Sequence, residues 1–139
     1  MSQDELGRIR GHGDAARRFS DALLRSLGNT QVTLRFANPS SGDTGSQLGL
    51  EAPPSQDLQI SPALIKTLKA SADNKRRIEV VLGATTLQPI AKLYGVEDIA
   101  AWLRTFEGVV RGDQLMRIAT VTVDKFLGAN CLFHLTATE

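Results

Sequence analysis

Two histidines and one cysteine are the residues of this sequence best suited to metal binding or nucleophilic catalysis. His12 lies in a glycine-punctuated stretch, GRIRGHGD, and His134 lies in an apolar run near the other end. A metal site needs such ligands clustered at defined spacing, and no HExxH, CxxC or EF-hand loop occurs. Cys131 opens the run Cys131-Leu132-Phe133. A reactive thiolate needs a base or a helix N-terminus beside it. The one nearby base, His134, falls on the opposite face of a strand. Cys131 is therefore expected as a small buried hydrophobe. His134 is expected to face outward from an edge-like strand, solvated or hydrogen-bonded. Asp113 and Asp124 flank one strand without a common target, so no acid–base pair is read. The glycines of GRIRGHGD follow no strand, and no serine sits in a nucleophile elbow. These residues predict no catalytic site, no metal and no cofactor, and indicate no small-molecule substrate.

Charge narrows the partners. The chain has 139 residues, with 16 Lys+Arg against 15 Asp+Glu. A dedicated nucleic-acid binder shows a strong basic excess, so this balance argues against one. Basic residues gather at Lys66, Lys69, Lys75, Arg76 and Arg77, with Asp73 among them. They read as a solvated turn, or as a contact for an acidic partner or for nucleic acid. No aromatic is interleaved with them, so a base-stacking surface is not expected. No run of 18 apolar residues occurs and residues 1–14 are polar, so neither a membrane span nor a secretory leader is expected. A single cysteine fits a reducing cytoplasm.

The elements that would position these residues follow from periodicity. Residues 1–13 read as a polar, flexible N-terminal arm. Asp14 is a fair N-cap, and Ala16, Phe19, Leu23 and Leu27 recur at helical spacing up to Gly28, predicting a helix over 14–27. Val32, Leu34 and Phe36 alternate with polar residues in a strand at 31–37. Leu58 and Ile60 mark a short strand. Ser61-Pro62 resembles an N-cap with Pro at the first helical position, which favours a short helix on Leu64, Ile65 and Leu68, with an extended course as the alternative. Arg77 leads into a strand through Leu82, kept extended by Thr85 and Thr86 and closed by Pro89, with a helical turn at 90–94. Ile99, Trp102, Leu103 and Phe106 form one stripe of a helix over 96–107 and are expected in the core, with Glu97 and Asp98 in its first turn. Val109-Val110 reads as a short strand, Arg111-Gly112-Asp113 as a turn, and 116–126 with 131–136 as a hairpin reversed at Gly128. Strand and helix signals are segregated, with no βαβ alternation. The expected fold is α+β: a mainly antiparallel sheet or small barrel in a single domain, 14–139, packed by the two helices.

Residues 38–56 interrupt this pattern. They hold three prolines, three glycines and four serines, carry Asp43 and Glu51, and have no basic residue. Long connections of this kind are either functional or disordered. Leu48 and Leu50 are apolar anchors within a polar stretch, spaced to point the same way if extended. Leu48, Leu50 and Glu51, with Lys75, Arg76 and Arg77 of a neighbouring copy, are the candidate interface residues. Asp57 adds to the acidic side of that pairing.

The C-terminal unit runs from Val110 through VRGDQLMRIATVTVD to Asp124, then KFLG to Gly128 and CLFHL to Leu135. It resembles the small neck proteins of tailed phages and prophages, the head–tail joining, head-closure and tail-completion group. The resemblance spans roughly 77–136 and, loosely, the helix at 14–27. It departs from that group in the helix at 96–107, an insertion, and in His134, where Tyr is frequent. The resemblance implies a non-enzymatic virion component that assembles as an oligomeric ring between portal and tail. Its partners would be further copies of itself and neighbouring virion proteins, with cytoplasmic synthesis and a final place in the virion. A small cytoplasmic bacterial protein-binding module is the competing expectation.

Overall fold

A computed structural model describes residues 3–28, 30–37, 55–70, 72–126 and 128–139, with the backbone alone for 3–12 and Ala37. The elements are α1 (Gln3–Leu27), β1 (Thr30–Ala37), β2 (Ser55–Leu68), β3 (Arg77–Gly83), α2 (Ala84–Leu93), α3 (Ile99–Arg104), β4 (Gly108–Arg111), β5 (Gln114–Phe126) and β6 (Ala129–Thr138). The six strands close an antiparallel barrel in the order β1-β2-β3-β6-β5-β4. The expected α+β fold is therefore the observed one, in its barrel form.

Alternation along each strand fills the interior. Val32, Leu34 and Phe36 of β1 face Ile78, Val80 and Leu82 of β3, Phe133, Leu135 and Ala137 of β6, and Met116 and Val121 of β5 in one buried core. Ser55 pairs with Ala37, so β2 starts inside the stretch expected as a connection, and residues 38–54 lie outside the described residues. β2 first pairs with β1 and then, beyond the cis Ser61–Pro62 peptide, with β3. Of the two courses read after Ser61, the extended one forms and the short helix does not. Residues 63–68 are claimed instead by β3, because ladder hydrogen bonds and the burial of Ala63 outweigh a local cap signal. Short β4 closes the seam, with three residue pairs to β1 and three to β5.

The two helices between β3 and β4 plug one end of the barrel. Thr85, Thr86 and Pro89 do not extend β3; they lie in α2, which buries Ala84, Leu87 and Ala91. The β propensity of two threonines yields to the burial of Leu87 in the core. α3 is shorter than the expected 96–107. Asp98 is its N-cap rather than part of its first turn, accepting from the Ala101 N–H at 3.2 Å. The stripe itself is as expected: Ile99, Trp102, Leu103 and Phe106 are all buried. Phe36 at the end of β1 stacks on Phe106 at 5.0 Å and meets Trp102 and Tyr94 edge-on at 5.9 and 5.4 Å.

α1 lies against the outside of the barrel. It starts at Gln3, so residues 3–13 continue the helix that Asp14 was expected to begin. Leu24 is buried beside Gly83, and Gly28 approaches β2 so closely that a Cβ there would stand 2.5 Å from the Ala63 carbonyl oxygen. Arg17 Nε donates to the Asn130 carbonyl at 3.2 Å.

Candidate interaction surfaces

The seating of α1 inverts the expected stripe. Leu24, with the half-buried Ser20 and Asp21, faces the barrel, while Phe19, Leu23 and Leu27 are 66%, 40% and 69% exposed. The β5–β6 hairpin tip adds Phe126, 59% exposed. Between helix and hairpin runs a cavity of about 610 Å³, whose walls include Ala15, Ala16, Phe19, Leu23, Phe126 and Leu132. Cys131 lies at its floor, buried as expected. Exposed apolar patches lining a groove are candidate interaction surfaces.

The barrel end opposite the helical plug is a second, polar surface. Strand parity places Thr67, Arg111 and Gln114 on the inward-facing side, level with or one step beyond the buried Ile78, Val109 and Met116. Together with Arg76 and Arg77 they line a cavity of about 540 Å³. Arg76 Nε donates to Glu139 Oε1 at 2.5 Å. The side chains of Arg77 and Arg111 have no hydrogen bond or ion pair among the described residues. Of the expected basic turn, Arg76 and Arg77 thus reach this mouth. Lys75 does not line it; its backbone N–H donates to Asp73 Oδ1 at 3.3 Å. Arg111 joins only because barrel closure brings the β4–β5 turn beside the β2–β3 turn, a juxtaposition no local pattern signals. Leu48, Leu50 and Glu51 lie outside the described residues. Asp57 is engaged within its own chain: Arg35 Nε and Nη2 donate to its two carboxylate oxygens at 2.8 and 3.3 Å. That hydrogen bond holds the Asp57 carboxyl below its usual range and raises Arg35.

His134 is on the outer wall, as expected, yet its strand is interior to the sheet, between β3 and β5. Its Nδ1 is 2.7 Å from Glu79 Oε1 and its Nε2 is 2.6 Å from Asp124 Oδ2. Burial alone would lower the imidazole pKa; hydrogen bonds to Glu79 and Asp124 outweigh it and raise the pKa above its ordinary value. With both nitrogens held by carboxylates, the ring links three strands and has no free nitrogen to offer a substrate. Among the described residues no group of three or more His, Cys, Asp or Glu side chains is placed to hold a metal. None of the described helices is long and apolar enough to cross a membrane. No family model matches the chain, and no curated protein or solved structure matches it.

Proposed function

We propose that this protein is a non-enzymatic assembly subunit that associates with copies of itself through the outer face of α1 and the β5–β6 hairpin tip. One observation carries the reading: Phe19, Leu23 and Phe126 stand exposed around one apolar groove, and Leu27 is exposed one turn beyond Leu23 on the same helix. Burying aromatic and leucine side chains of this kind dominates interface energetics. The finer reading is a ring-forming component of a phage or prophage neck, between portal and tail. It is supported by the run of β4 through the Arg111-Gly112-Asp113 turn into β5 and β6, the unit on which the resemblance rests. Ring closure requires a heterologous contact, in which two different patches of each copy meet.

Size-exclusion chromatography with light scattering tests this directly. The wild-type chain is expected to elute as a multimer. Phe19→Asp and Phe126→Asp are expected to elute as monomers with unchanged circular dichroism, because both rings lie outside the core. A wild-type monomer at 100 µM, or multimers that survive both substitutions, would overturn the reading. Gene neighbourhood tests the finer one: portal, terminase or tail genes beside this gene are expected, and their absence argues against a virion neck.

A further inference from the structure

We infer that the arginine-lined mouth of the barrel is a docking site for a carboxylate-bearing peptide segment, supplied by residues 38–54 of a second copy. The chemistry of the site stands on the mouth alone; the source of the segment rests on the self-association proposed above.

The mouth is built for an anion. At the rim of the apolar core, at inward-facing positions that a sealed barrel would fill with apolar side chains, stand Arg111, Gln114 and Thr67, with Arg76 and Arg77 lining the same cavity. Arg77 and Arg111 have no ionic partner among the described residues, and Glu139 engages Arg76 alone. A guanidinium presents a planar fork of donors that matches a carboxylate with two parallel hydrogen bonds. Gln114 and Thr67 add donors and acceptors for a peptide backbone. Nucleic acid fits less well. Its binders neutralise many phosphates, whereas this chain has a net charge of +1. The aromatic cluster of Phe36, Tyr94, Trp102 and Phe106 is at the plugged end, away from the arginines.

The chain itself carries a matching segment. Residues 38–54 contain Asp43 and Glu51 and no Lys, Arg or His. Their ends, Ala37 and Ser55, are paired with each other at the plugged end. The mouth is at the other end of the same strands. A second copy stacked plugged end to open end brings opposite charges together, and this head-to-tail contact is heterologous, as a ring requires.

The test is fluorescence anisotropy of a labelled peptide of residues 38–54 against the full-length Phe19→Asp variant, so that the readout does not depend on association through α1. The peptide is expected to bind, and to weaken as salt rises. Arg77→Gln and Arg111→Gln are each expected to weaken it about tenfold, since a hydrogen bond to a charged group is lost. A peptide with Asp43→Asn and Glu51→Gln is expected not to bind. No binding at millimolar peptide, or equal binding to the Arg77→Gln/Arg111→Gln double variant, overturns the site. Binding of an unrelated glutamate-rich peptide but not of 38–54 removes the second copy as its source. A DNA duplex that binds with the same Arg111 dependence, while neither peptide binds, overturns the carboxylate assignment.

Discussion

Phe36→Ala should strip the helical plug from the barrel. Phe36 is 2% exposed and is the ring that joins β1 to both plugging helices, through Phe106, Trp102 and Tyr94. Truncating a buried phenylalanine costs about 3–5 kcal/mol in lost transfer energy and residual cavity. Each aromatic pair adds about 0.5–1.5 kcal/mol beyond its buried area. With three such partners, the loss belongs at the upper end of the first range. A domain is held by about 5–15 kcal/mol in all, so the alanine variant stands near the edge of folding. Phe36→Leu keeps most of the apolar volume and is expected to cost about 1–2 kcal/mol. Urea unfolding read in parallel by far-UV circular dichroism and by emission of Trp102, the only tryptophan, measures both. The midpoint should fall with an unchanged slope, and native emission of Phe36→Ala should shift to the red as water reaches the indole. A loss below about 1 kcal/mol, with Trp102 emission unmoved, would refute the seating of α2 and α3 on β1.

Other outcomes follow from the same geometry. His134 has a raised native pKa, so its clamp contributes fully below the unfolded value of about 6.5 and is lost as pH rises through the native value. The stability gap between wild type and His134→Gln should shrink with rising pH, and an NMR titration of the ring should show a midpoint above 6.5; a gap that widens would reverse the sign. Gly108→Ala drives a methyl into the Met116 carbonyl across the seam and is expected to cost about 1–3 kcal/mol in thermal unfolding; an unchanged midpoint would refute the close β4–β5 approach. Replacing residues 38–54 by a four-residue Gly-Ser turn should leave the fold intact, because Ala37 and Ser55 already pair and closure entropy changes by only about 1 kcal/mol. Loss of the circular dichroism signal would make that segment part of the core. The same variant should lose head-to-tail association.

The strands were largely legible because alternation is a local signal. Val32/Leu34/Phe36, the strand from Arg77, and the hairpin reversed at Gly128 stand where the pattern put them. What misled was local chemistry overruled at long range. Ser61-Pro62 has the marks of a helix start, and Thr85-Thr86-Pro89 the marks of an extended stretch and a stop. Pairing with β3 decided the first, and burial of Leu87 decided the second. The α1 stripe failed for a different reason. Phe19, Leu23 and Leu27 do recur at helical spacing, but periodicity reports only that a face is apolar, not what covers it. The core took the face of Leu24 because Gly28 and Gly83 allow close approach there. Half of the mouth was visible as Arg76 and Arg77; Arg111 was not, since its neighbourhood exists only once the barrel has closed.

Closure itself hangs on the shortest strand. Four residues, Gly108–Arg111, complete a ring whose other strands are 7 to 14 residues long. The other seams are ladders of six to nine pairs, while each side of β4 is tied by three. Partial unfolding starts where the fewest bonds must break. The amide hydrogens of Val109 and Val110 should therefore exchange with solvent ahead of those in β6. Once β4 lets go, the barrel becomes an open sheet of five strands, with the bare edges of β1 and β5 ready to accept the β4 of another molecule. The clasp that completes the subunit is also its route to exchanging a strand with a neighbour.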